Sequence, residues 1–196
     1  MNENENQMSG EESLSIISGM INRARNRFSE TGTLYLLWGW VILVCCIAQF
    51  ALLKYFNYEK SYQVWGLTWL AVIYQFIYLA RIKKNEKVKT YTDEIIAFVW
   101  ITFVVCGCIL VYLLLRQKAY HLINPAILVL YGMPTFLSGI ILKFRPLTIG
   151  GICCWVCALI SPFIANEYHV LLLACAVIAA WIIPGYLLRA KFKNEN

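Results

Sequence analysis

Charged residues are scarce in this 196-residue chain and absent from its long apolar runs. Asp, Glu, Lys and Arg together make up 14% of the sequence, whereas 60% of the residues are hydrophobic. A soluble domain has about 25% charged and about 45–50% apolar residues, so a soluble core cannot accommodate this composition. The composition therefore excludes an ordinary soluble domain and predicts a membrane protein.

The chain also lacks the residue clusters on which enzymes, metal sites and nucleic-acid surfaces depend. It has no HExxH sequence, no aspartate pair inside an apolar run and no nucleotide-binding glycine loop, and Ser161 has no histidine base within a run. The net charge of +6 lies between the apolar runs rather than on one face of a soluble domain. We therefore predict no catalytic, cofactor-binding or metal-binding residue, and no nucleic-acid partner.

Cysteines are present, but all eight lie inside apolar runs. Cys154 and Cys157 have the CxxC spacing of a metal or redox site. Their surroundings, GGICCWVCALI, provide neither a histidine nor an acid. This setting predicts small packing residues rather than a zinc ribbon or a disulfide framework.

Six apolar runs are long enough, or nearly so, to cross a bilayer. A helix rises about 1.5 Å per residue and the hydrocarbon is about 30 Å thick, so a span needs about 20 residues. The runs cover residues 34–53, 63–80, 95–115, 122–142, 147–164 and 170–188. They lack the alternating polarity of barrel strands. The predicted fold is all-α: a six-span transmembrane helix bundle preceded by a short amphipathic cytoplasmic helix.

Lys and Arg are distributed unevenly between the two sets of connections. Thirteen lie before the first run, in the second-to-third and fourth-to-fifth connections and after the sixth run, against four in the remaining connections. The densest group is RIKKNEKVK, residues 81–89. Because basic residues near span ends are retained in the cytoplasm, both termini are predicted to be cytoplasmic. The first span is predicted to be an uncleaved anchor, since no small-residue cleavage site follows it.

An amphipathic segment precedes the first run. Leu14, Ile17, Ile21 and Phe28 recur at helical spacing, with arginines along both edges of the stripe. One interpretation is a basic helix lying on the inner leaflet of the bilayer. The other is a docking helix that binds a cytoplasmic protein partner through the same four residues.

Gly and Pro are concentrated in the fourth to sixth runs. Pro134 lies near the middle of the fourth run among the small residues Gly132, Thr135, Ser138 and Gly139. Interrupted helices mark binding sites in transporters, but ion-coupled transport usually needs an acid or base inside the membrane, and the six runs contain neither. We therefore predict that this cluster packs helices closely. The alternative is a transport path, which requires a water-accessible cavity lined by Thr135, Ser138 and Gln75.

The two histidines, His121 and His169, stand at the starts of the fourth and sixth runs, on the predicted outer side. Such a pair can bind a metal or respond to external pH. No carboxylate cluster accompanies them in the sequence. Anchoring at the membrane interface is therefore the favoured interpretation.

Four segments carry a resemblance to a known family: ISGMINRARNRF before the first run, TGTLYLLWGW at its start, PTFLSGIILKFRPL across the fourth and fifth, and IIPGYLLR in the sixth. Together they resemble a family of small multi-pass bacterial inner-membrane proteins with no assigned function. The resemblance implies a location in the bacterial inner membrane and supplies no catalytic residue.

These observations predict a domain organisation and a general role. Residues 1–30 form a cytoplasmic tail and amphipathic helix, residues 31–190 the six-span domain, and residues 191–196 a cytoplasmic tail. We expect a non-enzymatic accessory or regulatory membrane component embedded in the lipid bilayer. A small transporter or permease subunit is the alternative, and an enzyme of lipid metabolism is a third, less supported one. The oligomeric state stays open.

Overall fold

The computed structural model describes residues 28–56, 58, 60–85 and 91–193, and this part of the chain is helical without a strand. It contains six stretches of 19 to 25 residues that are long and apolar enough to cross a membrane. The predicted all-α bundle of six spans is thereby confirmed. The segment 1–27, with most of the predicted amphipathic helix, and the tail 194–196 lie outside the described residues.

Seven α-helices build the six spans. They are α1 (Phe28–Phe56), α2 (Leu67–Asn85), α3 (Tyr91–Arg116), α4 (Ile123–Ile141), α5 (Arg145–Ile160), α6 (His169–Val177) and α7 (Ile183–Lys193). A π-helical segment, Ile178–Ile182, joins α6 to α7, so the three together form the sixth span. Short 3-10 turns precede α2, α4 and α6 and follow α5: Ser61–Gly66, Tyr120–Leu122, Asn166–Tyr168 and Ser161–Phe163.

Some helix ends differ from the predicted ones. Polar residues extend a helix in some places, and a 3-10 turn replaces its first residues in others. α1 begins at Phe28 and α2 continues through Asn85, beyond the apolar runs that predicted them. Pro134 lies inside α4 without ending the helix. The sixth run, predicted as one span, contains the π segment.

The spans are unequally buried. α4 and α5 make the most extensive helix contact, and α1 packs against α6, the π segment and α7. α2 lies along α1, and α3 lies along α4. Within the most apolar part of each span, 56% of the sixth span is buried, against 6% of the second and 0% of the third. The core of the described bundle is therefore made by the first, fourth, fifth and sixth spans, with α2 and α3 at its periphery.

Glycines mark the points where backbones in this core approach most closely. A Cβ at Gly139 would overlap the backbone of Thr148 on α5, and a Cβ at Gly151 would lie 2.9 Å from the Gly132 carbonyl oxygen. A Cβ at Gly150 would lie 2.5 Å from the Cα of Ala180 in the π segment. Small residues allow helices to pack closely where lipid supplies no hydrophobic driving force between them. The predicted packing role of the fourth-span glycines is observed at these contacts.

Exposed polar contacts join spans at both ends of the bundle. At one end, Arg189 Nη2 donates to Thr33 Oγ1 at 3.2 Å. At the other, Lys54 Nζ lies 3.7 Å from a Glu167 carboxylate oxygen. We call the Arg189 end, where Arg81 also lies, the basic end. The opposite end, with the described residues 58 and 60–66 and the connections 117–122 and 161–168, is the distal end.

Candidate functional site

The stripe predicted to bind a leaflet or a partner lies almost wholly outside the described residues. Leu14, Ile17 and Ile21 precede the described part of the chain. Phe28 begins α1, but its side chain is not described. The stripe therefore stays a prediction. The described bundle has two candidate sites: an aromatic cluster at its centre and a cleft at its distal end.

The aromatic cluster is centred on Trp181. The Trp181 ring centroid lies 4.7 Å from that of Tyr131 on α4 and 5.9 Å from that of Trp100 on α3. Trp100 in turn meets Tyr35 of α1 edge-on at 5.9 Å, and Phe103 lies 5.4 Å from Tyr131. Each such pair contributes about 0.5–1.5 kcal/mol beyond the burial of its surface. The cluster thus links the otherwise peripheral α3 to the core.

Two hydroxyl residues of α4, Thr135 and Ser138, lie in this cluster and are fully buried. Thr135 Oγ1 donates to the Tyr131 carbonyl at 2.8 Å and accepts the Trp181 indole N–H at 3.0 Å. Ser138 Oγ and the Tyr35 hydroxyl are also buried but have no hydrogen-bond partner among the described residues. Thr135 therefore connects α4 to the sixth span, whereas Ser138 and Tyr35 place two further hydroxyl groups in the buried core.

The π segment explains why Trp181 reaches Thr135. The Ile183 N–H donates to the Ile178 carbonyl, five residues back, and the next residue, Pro184, has no N–H to donate. An i to i−5 bond widens the helix locally, and such π-bulges are frequent at functional sites. The extra residue also brings Ala180 against Gly150 of α5. No signal in the apolar run IAAWIIPG specifies a π-bulge, although Pro184 indicates an irregular helix.

Gln49 and Gln75 bond to tryptophans rather than to the hydroxyl residues of α4. Trp38 of α1 donates its indole N–H to Gln75 of α2, and Trp65 donates to Gln49 at 2.7 Å. These two bonds attach α2 and the turn that precedes it to α1. Thr135 and Ser138 are each 0% exposed. The proposed path lined by Thr135, Ser138 and Gln75 is therefore not open to water in the described structure.

The second candidate is a cleft at the distal end, between the connections 117–122 and 161–168. Its volume is about 380 Å³ and all its lining residues are polar or aromatic: Lys118, Tyr120, His121, Asn124, Asn166 and His169. The structure thus brings together the two histidines that the sequence places far apart. The set includes one lysine, two histidines and two amides, and no carboxylate. Sequence analysis identified the histidines but missed the cleft, because no local pattern pairs the two connections.

His169, for which the sequence favoured anchoring at the membrane interface, is buried within the end of the bundle. It is only 5% exposed, and its Nε2 lies 2.9 Å from the Ser161 carbonyl oxygen and 3.1 Å from that of Ile164. Carbonyl oxygens only accept hydrogen bonds, so Nε2 carries the proton. The ring fastens the turn after α5 to the start of α6. His121, by contrast, is exposed on the other side of the cleft.

The cysteines and histidines form no metal centre in the described part of the chain, where no three residues among His, Cys, Asp and Glu come together. All eight cysteines are free thiols. Cys154 is buried in the core, and Cys157 is partly buried against it. The CxxC pair therefore occupies packing positions.

Comparison with known proteins adds no relative to this description. No family model, no curated protein and no solved structure matches the chain. The conclusion is carried by the structure alone: six helices of the length and composition of membrane spans make this a membrane-embedded, multi-pass protein.

Proposed function

We propose that the protein is a non-enzymatic accessory or regulatory component of the bacterial inner membrane, with both termini in the cytoplasm, and that it binds another membrane protein along α2. The observation that carries the proposal is that α2 contacts the bundle mainly through α1 and is only 6% buried in its most apolar part, whereas α3, equally exposed, packs more extensively along α4. Trp69 and Phe76 are among its most exposed side chains. Because α2 contacts the bundle on one side, its other sides can contact a transmembrane helix of a partner.

The polar atoms of α2 favour a protein partner over lipid tails. Tyr74 is 50% exposed and stacks with Tyr78, their ring centroids 6.2 Å apart. A tyrosine hydroxyl facing hydrocarbon lacks the hydrogen bond that water provides elsewhere. Polar side chains within membranes commonly find that bond on a neighbouring helix.

Photocrosslinking in native membranes tests this proposal. A photoreactive residue replacing Leu70 on α2 is expected to give a protein adduct of discrete mass. The matched control is Leu159 on α5, which is also apolar and exposed. Adducts to lipid alone at Leu70, or the same protein adducts at both positions, would contradict the proposal.

The N-terminal stripe is proposed as the cytoplasmic part of the same interaction, with leaflet binding as its alternative. A peptide of residues 9–30 that gains helicity on anionic vesicles supports leaflet binding. Loss of a soluble partner from the full-length protein carrying Ile17→Asp or Ile21→Asp, with a peptide that stays unstructured on vesicles, supports docking. Asn22→Asp serves as a control that adds the same charge to a polar position.

A small transporter or permease subunit is the second candidate, favoured by the π segment and Pro134 near the unpartnered hydroxyls of Tyr35 and Ser138. Interrupted helices at mid-membrane are a common feature of transporter sites. Ser138→Cys, in a background with the native cysteines replaced by alanine, distinguishes the two candidates. Labelling of that thiol by a membrane-impermeant maleimide would favour transport, whereas protection from the reagent supports the accessory role.

A further inference from the structure

We propose that the cleft at the distal end binds a phosphate group, presented either by a lipid headgroup or by a soluble phosphate compound. The cleft's volume of about 380 Å³ lies within the range of about 300–1,000 Å³ typical of small-molecule sites. It lies where two connections meet at the end of the bundle, a position reached both from water and from the headgroup layer. This inference does not depend on the proposed partner binding by α2.

The charge of the lining favours an anion. Lys118 is the permanent cation of the cleft, and no Asp or Glu lines it. The nearest carboxylate in sequence, Glu167, pairs instead with Lys54 at 3.7 Å. The backbone of Lys118 is in the left-handed region, with φ of 58°. This conformation sets the direction in which the side chain leaves the turn.

Hydrogen-bond donors surround the cleft on both sides. Asn124 and Asn166 provide amide N–H groups, and Tyr120 provides a hydroxyl. α4 and α6 both begin at this cleft, each after a 3-10 turn, and neither start has a side-chain cap. The N–H groups of Ile123 and His169 bond back to these turns, so the two starts add the positive ends of helix dipoles rather than these two backbone donors. A tetrahedral phosphate, with several acceptor oxygens, matches donors that approach from two sides.

His169 is the buried side chain that distinguishes the cleft from a polar surface depression. It is 5% exposed, lines the cleft, and has its ring orientation fixed by the carbonyls of Ser161 and Ile164. Both of these hydrogen bonds are made by Nε2, so the other ring nitrogen, Nδ1, is not used in them. With the proton on Nε2, Nδ1 is an acceptor, so its partner in the cleft is the hydroxyl of a hydrogen phosphate or of a glycerol headgroup rather than a phosphate oxygen.

A metal ion is the less suitable occupant. Zinc sites use several nitrogen, sulfur or carboxylate ligands, and the cleft offers only two histidines, one of which uses Nε2 to hold backbone carbonyls. Lys118 would also repel a cation. Phosphate therefore fits both the charge and the donors of the cleft.

Calorimetric titration of the full-length protein in a maltoside detergent tests the proposal. The soluble probe is sodium phosphate, compared with sodium chloride at equal ionic strength. The lipid probe is a short-chain phosphatidylglycerol, compared with the diacylglycerol of the same chains, which lacks the phosphate. Binding of both phosphate probes assigns the cleft to phosphate in general, and binding of phosphatidylglycerol alone assigns it to headgroups.

Variants decide whether binding occurs in the cleft. Lys118→Gln is expected to weaken binding about tenfold, because a hydrogen bond to a charged group contributes about that factor. Asn124→Asp, which places a carboxylate in the lining, is expected to abolish binding. Lys60→Gln, at the same end but outside the lining, is expected to leave it unchanged.

Three results would overturn the proposal. The first is no heat from either phosphate probe above its control. The second is an equal loss of binding in Lys60→Gln and Lys118→Gln, which would indicate general surface charge. The third is saturable binding of zinc chloride in the absence of any phosphate binding.

Discussion

At the scale of single residues, glycine has two different roles in this bundle. At Gly139 the backbone of α4 lies so close to Thr148 that an added Cβ overlaps backbone atoms, which cannot move aside as a flexible side chain can. At Gly66, in the turn before α2, nothing lies within 4 Å of an added Cβ. The two positions therefore form a natural test and control for close helix packing.

Gly139→Ala is expected to lower the free energy of unfolding by about 1–3 kcal/mol, the usual cost of overpacking a core. The helix must move away from α5 to accommodate the methyl group. Thermal or denaturant unfolding in detergent measures the change. Gly66→Ala should unfold as the wild type does, and equal stability of all three proteins would show that the α4–α5 contact is loose.

Thr135 and Ser138 are expected to respond oppositely to removal of their hydroxyls. Thr135→Val keeps the volume but leaves the Trp181 N–H without its acceptor, which costs about 1–2 kcal/mol within a membrane protein. Ser138→Ala removes a buried hydroxyl that has no partner among the described residues, so stability should stay the same or rise. A larger loss for Ser138→Ala than for Thr135→Val in the same unfolding assay would refute this ranking.

At the scale of helices, the sequence predicts the features that depend on composition. It does not predict the features that depend on contacts between helices. All six spans were predictable because each is an apolar run. The π segment was not predictable, because the i to i−5 bond at Ile183 accompanies the packing of Trp181 and Ala180 against other helices. The same holds for His169, whose carbonyl partners are created by the turn at Ser161. The distal cleft requires two connections to meet, and a single sequence does not indicate that contact.

α2 is expected to be the first span to loosen. It is held mainly by α1, and the Trp38 to Gln75 bond is one of its few polar attachments. Gln75→Leu should speed amide hydrogen exchange within 67–85 and leave exchange in α4 and α5 unchanged, because local opening follows local contacts. Gln117→Leu, an exposed change at the distal end, is the control. Unchanged exchange in α2 would show that this bond does not hold the helix.

At the scale of the whole molecule, the alternation of helix directions divides the connections between two ends, and basic residues are concentrated at one of them. Arg81, Lys143 and Arg189 all lie at the basic end, as expected if that end is retained in the cytoplasm. The Lys54 to Glu167 pair at the other end joins two solvent-exposed side chains and contributes little to stability. Orientation is therefore a property of charge distribution rather than of packing.

Reporter fusions measure this orientation directly. Alkaline phosphatase fused after Asn57 or Lys118 is expected to be active, because the proposed topology places these connections outside the cytoplasm. Fusions after Asn85 or Asn196 are expected to be inactive as phosphatases and active as cytoplasmic reporters. Phosphatase activity at either of these last two positions would reverse or break the proposed topology.

The contact of α1 with α6, the π segment and α7 also sets an order of events during biosynthesis. Of the six spans, the earliest to leave the ribosome packs against the latest, so its Gly39 contact with Ile182 has to wait until the intervening spans have been inserted. Before the sixth span is inserted, the side of α1 that includes Ile42 and Cys46 contacts lipid or an insertion factor. Nascent chains that stop before the sixth span should therefore be the form that membrane proteases and insertion chaperones recognise.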